Sequence, residues 1–533
     1  MSMIQVRNLT FSYEGSPEPV FENVSFCIDT DWKLGFTGRN GRGKTTFLKL
    51  LMKEYEYGGS IQADAVFDYF PFSPENEEQD TILVAGEVCP DYDYWRLVKE
   101  LSRLKVEEEV LFRPFNTLSQ GERTKILLAL FFLKEEHFLL IDEPTNHLDQ
   151  EGREVMAEYL SRKRGFILVS HDRAFLDRAV DHMLVINKNS IQVQKGNFSS
   201  WYSNKQKQDA FEEGENEKRR KEIRRLSAAA ERTERWANQA ESLKLGKKGA
   251  AVFGIDRPNR DYLGEKSRKM QQRRKNLEKR REAAVQKKKE LLHDVESAEE
   301  LKLFPGVWRQ ERLIWMREGR IAYGERTILS NVNLEIRRGE RLVLQGSNGC
   351  GKSSILKAIL QMVGAGGTES AGSGAESCGA FGHLRYEGEM YLGAGMEISY
   401  VSQDTSGLSG SLSDYAVREG VEESLLKSLL RKLDFSREQL SRPMETFSQG
   451  QKKKVLLAAS LCRQAHLYLW DEPLNYIDVF SRMQIEALIA RFQPTMVLIE
   501  HDRAFTEKVG SRFIQVRDFF ASADERVSLG KRR

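Results

Sequence analysis

Short apolar runs punctuate the chain, and the same runs occur twice. Leu34-Gly35-Phe36-Thr37 and Arg341-Leu342-Val343-Leu344 each read as a buried strand. Each leads through a glycine-rich octet into a helical stretch, FLKLL or SILKAIL. Phe138–Ile141 and Leu467–Trp470 form a second pair of strand-like runs, each ending in a carboxylate, Asp142 or Asp471. A third pair is FILVSHDRAF at 166–175 and MVLIEHDRAF at 496–505. Buried strands alternating with helices predict an α/β fold, present in two copies.

Between the copies the period changes from strand to helix. Ile223, Leu226, Ala230, Thr233, Ala237 and Ala240 make one thin apolar seam, and Met270, Leu277, Ala284 and Leu291 another. The break between them carries Gly246, Gly249, Gly254, Pro258 and Gly264. The pattern predicts two long helices joined by an irregular tip, an antiparallel hairpin. Arms of about 38 residues would each reach roughly 57 Å.

Spacing ties the copies together. Ser119 to Asp142 and Ser448 to Asp471 are both 23 residues, and Asp142 to His171 and Asp471 to His501 are 29 and 30. One interval differs: Lys44 to Phe72 is 28 and Lys352 to Gln403 is 51. The second copy therefore carries an insertion, visible as the Gly/Ser/Ala-rich stretch 364–380, which reads as a flexible surface loop. The expected organisation is a first α/β domain at 1–204, a helical linker at 205–302 with its tip near 243–264, a second α/β domain at 303–520 and a short tail at 521–533.

Charge sharpens the picture of the linker. The 533 residues carry a net charge of only +3, but residues 218–289 hold 25 Lys and Arg against 9 Asp and Glu, a net of +16. Such a segment gains affinity for RNA by releasing counterions from its phosphates. The five cysteines are scattered without a CxxC pair, which argues against a zinc ribbon or an iron–sulfur cluster. The opening residues lack the apolar core of a secretory signal, and the apolar run Ile126–Leu133 is far too short to span a membrane. The expectation is a cytoplasmic protein with no membrane segment.

The octets GRNGRGKT at 38–45 and GSNGCGKS at 346–353 fit the phosphate-binding loop. Their glycines let backbone N–H groups converge on phosphate at a helix N-terminus. Lys44 and Lys352 would reach the outer phosphates, and Thr45 and Ser353 would offer hydroxyls to Mg²⁺. Asp142 and Asp471, at strand ends beside these loops, would hold Mg²⁺ through water. Glu143 and Glu472 would polarise the attacking water, and His171 and His501 would sense the γ-phosphate. Each copy also has a Ser-Gln-Gly turn ahead of a helix, Ser119-Gln120-Gly121 and Ser448-Gln449-Gly450.

Taken together, these elements resemble the ATP-binding cassettes of ABC ATPases over roughly 400 residues, with the Ser-Gln-Gly turns resembling the family's signature motif. The resemblance implies α/β architecture with two ABC-type P-loop nucleotide-binding domains joined by the helical hairpin. It also implies ATP and Mg²⁺ as cofactors, and pairing of the cassettes within a monomer, so that each signature closes over the other cassette's ATP. One composite site would then hold Gly38, Asn40, Gly41, Gly43, Lys44, Thr45, Thr46, Asp142, Glu143 and His171 beneath Ser448, Gln449 and Gly450. The other would hold Gly346, Asn348, Gly349, Gly351, Lys352, Ser353, Ser354, Gln403, Asp471, Glu472 and His501 beneath Ser119, Gln120 and Gly121. Tyr13 and Tyr323 are candidates to stack on adenine, with a core tyrosine as the competing reading. The copies depart from one another where Phe72 stands in place of Gln403, and where Leu474, Tyr476 and Ile477 replace Thr145, His147 and Leu148. Unequal hydrolysis at the two sites is expected.

Two fused cassettes with a basic linker resemble the ABC-F subfamily, and DTDWKLGFTGRNGRGKTTFL and RPFNTLSQGE look close to its Lsa-type antibiotic-resistance members. GNFSSWY at 196–202 resembles the junction into the linker. The resemblance implies a partner, the 70S ribosome, contacted at its rRNA and at tRNA in the E and P sites. It implies protection against lincosamides, pleuromutilins and group A streptogramins. The linker tip would act there, with Lys247, Lys248, Phe253, Arg257 and Arg260 as candidate contacts. A housekeeping ABC-F translation factor and the ATPase subunit of a transporter with a separate membrane partner are the competing readings.

Overall fold

The computed structural model describes residues 3–14, 19–146, 148–186, 191–245, 301–303, 305–364 and 384–519. Its contacts divide the chain into two units, Met1–Trp201 with Ala298–Arg533, and Tyr202–Ser297. The first unit contains both copies of the repeat.

In the first copy, β1 (Met3–Phe11), β2 (Phe21–Asp29) and β4 (Gly58–Gln62) form an antiparallel sheet in the order β2-β1-β4. Beside it lies a six-stranded sheet of β3 (Lys33–Gly38), β5 (Val66–Phe70), β6 (His137–Asp142), β7 (Phe166–Val169), β8 (His182–Ile186) and β9 (Ile191–Lys195). Its order is β5-β6-β7-β3-β8-β9, parallel except for β9. The runs read as buried strands are buried here: all four residues of β7 and four of the six in β6 are buried. That is why they carry no polar alternation. Ile4, Leu34, Phe36, Phe47, Phe138 and Ile167 fill the space between this sheet, the antiparallel sheet and α1 (Lys44–Leu51).

Helices α2 (Thr81–Val88), α3 (Tyr94–Arg103) and α4 (Gln120–Phe131) make a helical lobe, and α5 (Gln150–Ser161) and α6 (Arg173–Ala179) follow β6 and β7. Ser119 caps α4 with a reciprocal box: its hydroxyl accepts from the Glu122 N–H while the Glu122 carboxylate accepts from the Ser119 N–H.

The second copy repeats this plan. β10 (Arg312–Tyr323), β11 (Arg326–Arg337) and β13 (Leu384–Leu392) form the antiparallel sheet. β12 (Arg341–Gln345), β14 (Ile398–Val401), β15 (Leu467–Asp471), β16 (Met496–Ile499) and β17 (Arg512–Gln515) form a parallel sheet in the order β14-β15-β16-β12-β17, matching β5-β6-β7-β3-β8. Ser448 caps the helix Gln449–Cys462 with the same reciprocal box. Among the described residues no helix is long and apolar enough to cross a membrane.

Helix α7 runs from Phe198 to Leu245, 48 residues against the 38 expected for one arm. It starts inside the GNFSSWY segment because Asn197 supplies an early cap, accepting from the Ser200 N–H at 3.1 Å and the Ser200 hydroxyl at 2.7 Å. The second seam (Met270, Leu277, Ala284, Leu291), the tip residues Lys247, Lys248, Phe253, Arg257 and Arg260, His147, the tail 521–533 and nearly all of the 364–380 insertion lie outside the described residues.

Candidate functional site

Both glycine-rich octets fold as tight loops between a buried strand and a helix. Gly43 and Gly351 sit immediately ahead of the helices with φ of +90° and +97°. A Cβ would stand 2.5 Å from Val20 at the first position and 2.9 Å from Ile328 at the second, so both backbone and space require glycine. Lys44 Nζ donates to the carbonyls of Gly38 at 2.8 Å and Arg39 at 3.2 Å. Lys352 does the same to Gly346 and Ser347 at 2.8 and 2.9 Å. The Thr45 hydroxyl donates to Asp142 at 2.8 Å and the Ser353 hydroxyl to Asp471 at 3.0 Å.

Glu143 and Glu472 follow these aspartates in left-handed backbone, φ 51° and 45°. Non-glycine residues stay there only where the surroundings over-determine them, at about 1–3 kcal/mol each. The Glu143 N–H is held by the Val169 carbonyl at 2.9 Å and the Glu472 N–H by the Ile499 carbonyl at 3.0 Å. Each turn thereby follows the end of the adjacent strand, the one that delivers the histidine. His171 Nε2 lies 3.1 Å from Glu143 Oε1 and His501 Nε2 3.4 Å from Glu472 Oε1. The Glu143 Oε1 and His171 Nδ1 atoms are buried without hydrogen-bond partners.

The electrostatics of the two glutamates differ. Burial, then the Asp142 charge, pushes Glu143 up to about 8 against the pull of Lys44 and arginines Arg482 and Arg153. Burial also acts on Glu472, but His501, the Lys352 charge and a hydrogen bond from Asn475 outweigh it, and its carboxyl sits below the ordinary value. Burial and the charges of Lys44 and Arg482 hold His171 well below its ordinary value, so it is neutral near pH 7.

The cassettes meet over the first loop. A cavity of about 470 Å³ is lined by Tyr13, Asn40, Gly41, Gly43, Lys44, Thr45, Thr46, Asp142, Glu143 and His171 from one copy and Ser448, Gln449, Gly450 and Tyr476 from the other. Asn40 Nδ2 donates to the Tyr476 carbonyl at 2.8 Å across this boundary. Gly450 makes the approach possible: a Cβ there would stand 2.4 Å from that carbonyl and 2.8 Å from the Asn40 amide. Arg39 pairs with Asp434 at 3.2 Å, Arg173 with Glu486 at 2.5 Å and Arg503 with Glu154 at 3.5 Å, all between cassettes. Tyr13 is 43% exposed at the cavity and bonds the Thr46 hydroxyl at 2.6 Å, so it is a wall of the cavity and not a core residue. Tyr323, at the end of β10, is partly buried against the second copy's core.

In the second copy Gln403 Nε2 donates to Glu472 at 2.7 Å, and Asn475 Nδ2 to the same oxygen at 2.8 Å. The Gln403 amide thus holds the neighbouring glutamate here. Phe72 and Asn146, the corresponding residues of the first copy, line a separate cavity of about 550 Å³ with Thr45, Asp142, Glu143 and Gln120. Ser119 and Gly121 sit at the start of α4. Sequence reasoning noted Tyr476 as a departure but did not place it in the site. Its role comes from a backbone carbonyl at φ 63°, which side-chain identity does not encode.

A glycine-lined loop whose lysine is held by loop carbonyls, a Thr–Asp or Ser–Asp pair, and a glutamate and a histidine beside them suit a nucleoside triphosphate with a divalent cation. The family model described as ABC transporter matches residues 21–146 and 329–475, together just over half of the chain. The ribosome protection protein VmlR of Bacillus subtilis is 27% identical over 502 residues, covering 93% of this chain and 84% of that protein. The ATP-binding protein Uup of Caulobacter vibrioides is 26% identical over 518 residues, covering 93% and 74%. The archaeal ribosome recycling factor aABCE1, solved in complex with the ribosomal stalk protein aP1, shares the fold at a TM-score of 0.58 and 18% identity, covering 95% of this chain and 86% of that one. The chain belongs to the ABC transporter family, as an ABC-F-type ATPase with two cassettes in tandem.

Proposed function

We propose that this ATPase uses closure of its cassettes over ATP to bind the ribosome and to protect the peptidyl-transferase centre from antibiotics of the lincosamide, pleuromutilin and streptogramin A type, with the linker tip entering the E site. The observation that carries the reading is the likeness to a ribosome protection protein along 93% of the chain. The +16 linker supports it, since a basic segment of this length suits RNA phosphate and has no use in an ATPase that only drives a membrane partner. On this reading the protein works in the cytoplasm.

In the ATP sites, Lys44 and Lys352 leave their loop carbonyls for the outer phosphates. Thr45 with Asp142, and Ser353 with Asp471, would hold Mg²⁺, which when bound would neutralise charge on those phosphates. Glu143 and Glu472 orient the attacking water, and Ser448, Gln449 and Gly450 close the first site from across the boundary. Ser119, Gln120 and Gly121 serve the second site in the same way.

The test is the Glu143→Gln, Glu472→Gln double variant. It should bind ATP and lose hydrolysis by about 10²–10⁴-fold, the usual contribution of a general base. In ATP it should co-sediment with 70S ribosomes, whereas a Lys44→Ala, Lys352→Ala variant should fail to bind nucleotide. Wild-type hydrolysis in the glutamine variant sinks the site assignment. ATP trapping without ribosome binding sinks the ribosomal part.

A further inference from the structure

The two copies are wired differently behind their glutamates, and the difference centres on one buried lysine. Lys453 lies five residues after Ser448 on the helix Gln449–Cys462 and is 2% exposed. Its Nζ donates to the Ser402 carbonyl at 2.9 Å and to the Glu472 carbonyl at 3.2 Å. One ammonium thus joins three pieces of the second cassette: the helix opened by Ser448, the loop that carries Gln403, and the left-handed turn at Glu472. The Thr405 hydroxyl adds a second link between that loop and that helix, donating to Gln449 at 2.8 Å.

The first copy lacks each of these links. Thr124 stands at the place of Lys453, and its hydroxyl bonds back to the Gln120 carbonyl of its own helix at 2.9 Å. Pro74 stands for Thr405 and Phe72 for Gln403. These three residues line the 550 Å³ cavity, which opens where the second copy is stitched. A compensating exchange accompanies the lysine. Glu500, 6% exposed, is the leading charge that stabilises the Lys453 ammonium against its burial, and the first copy has Ser170 at that place. Glu500 also accepts from the Leu474 N–H at 3.2 Å and the His501 N–H at 2.8 Å, so the counter-charge is fixed to the same turn. A buried ammonium is costly unless its charge is compensated and its donors are hydrogen-bonded, so this lysine is an installed device and not a solvated surface charge.

We propose that Lys453 is a positioning residue of the second ATP site. Its ammonium locks the Gln403 loop and the Glu472 peptide into one rigid unit, fixing the glutamate carboxylate for attack by water. The first cassette lacks this lock. The inference rests on the reading of Glu472 as the residue that orients water.

Hydrolysis is measured in a Glu143→Gln background, where turnover comes from the second cassette. Lys453→Met keeps the length and loses the donors. The expected result is a kcat lowered at least tenfold with the KM for ATP within about twofold, since Lys453 lies behind the glutamate and not on the nucleotide face. An unchanged kcat overturns the proposal, as does a raised KM at constant kcat. Should Lys453→Met fail to fold, the Lys453→Thr, Glu500→Ser variant installs the first copy's neutral pair. It should show the same loss of kcat, and full kcat there overturns the proposal. The Glu143→Gln, Glu472→Gln variant separates the two failures. If it still hydrolyses ATP at the wild-type rate, the reading of the glutamates has failed. If it is inactive while the lysine variants keep full kcat, the positioning role alone has failed.

Discussion

Glu143 and Glu472 occupy equivalent turns with nearly equal φ, yet their surroundings prepare them for different rates. Glu472 is held by the amides of Gln403 and Asn475, whereas Glu143 Oε1 is buried without a hydrogen bond and Phe72 offers it none. A carboxylate pinned in one orientation presents the same lone pair to water at every turnover, and one that is not loses rate to misorientation. Glu472→Gln should therefore remove well over half of the steady-state ATPase, and Glu143→Gln less than half. Equal losses in the two single variants count against this asymmetry. The Phe72/Gln403 exchange was legible in the sequence because it falls at a spacing that the repeat fixes. Lys453 was not: in the run Gln451-Lys452-Lys453-Lys454 nothing in the sequence distinguishes the lysine that reaches the Gln403 loop from Lys454, equally buried, which reaches Asp478. Burial depends on the helix face turned to the Gln403 loop, and that face is set by packing.

Among elements, the helix Val479–Phe492 shows how a short polar stretch can bear much of a cassette's stability. Its cap, Asp478, is 1% exposed; it accepts from the Ser481 N–H at 2.9 Å and pairs with Lys454 at 2.7 Å. One turn later Arg482 pairs with Asp502 at 3.0 Å and donates to the Leu474 and Ile477 carbonyls, as Arg153 does to Asp172 and Leu148 in the first copy. Burial favours the neutral acid at Asp478, but the Lys454 charge and hydrogen bond and the Ser481 N–H outweigh it, so its pKa is depressed far below the ordinary value. Stability from a depressed carboxylate is present above its unfolded pKa of about 4 and is lost as pH falls toward the native one. Asp478→Asn keeps the cap and strands Lys454, which should cost about 3–5 kcal/mol at neutral pH. In melting curves the gap between wild type and variant should stay constant above about pH 4 and narrow below it. A gap that persists unchanged to pH 2 removes the charge from the account. The strands and phosphate loops of these cassettes were legible because buried parallel strands are unbroken apolar runs. The start of α7 was not, since it depends on a cap at Asn197, eight residues upstream of the linker start at 205 inferred from composition.

Two cassettes that share the cavity over Lys44 can turn ATP binding into closure, and α7 leaves them as one 48-residue helix, about 72 Å long at 1.5 Å per residue. On the proposed ribosomal reading its arginines and lysines, with those of the following segment, would give affinity for RNA backbone without base specificity. The stretch Leu243 to Leu263 differs in kind: Leu245, Val252, Phe253, Ile255 and Tyr262 stand among glycines, with Lys247, Lys248, Arg257 and Arg260 interleaved. RNA supplies both complements, bases for aromatic stacking and phosphates for the cations. If protection is exercised there, replacing residues 243–263 by a short Gly-Ser turn should leave basal ATP hydrolysis within about twofold. The flanking basic segments keep their charge, so most ribosome affinity should remain. The minimum inhibitory concentration of a lincosamide in a susceptible host should fall to the level of an empty vector. Full protection by the shortened protein, at equal expression and ATPase activity, would reduce the tip to a connector and move the protective effect to the helices or the cassettes.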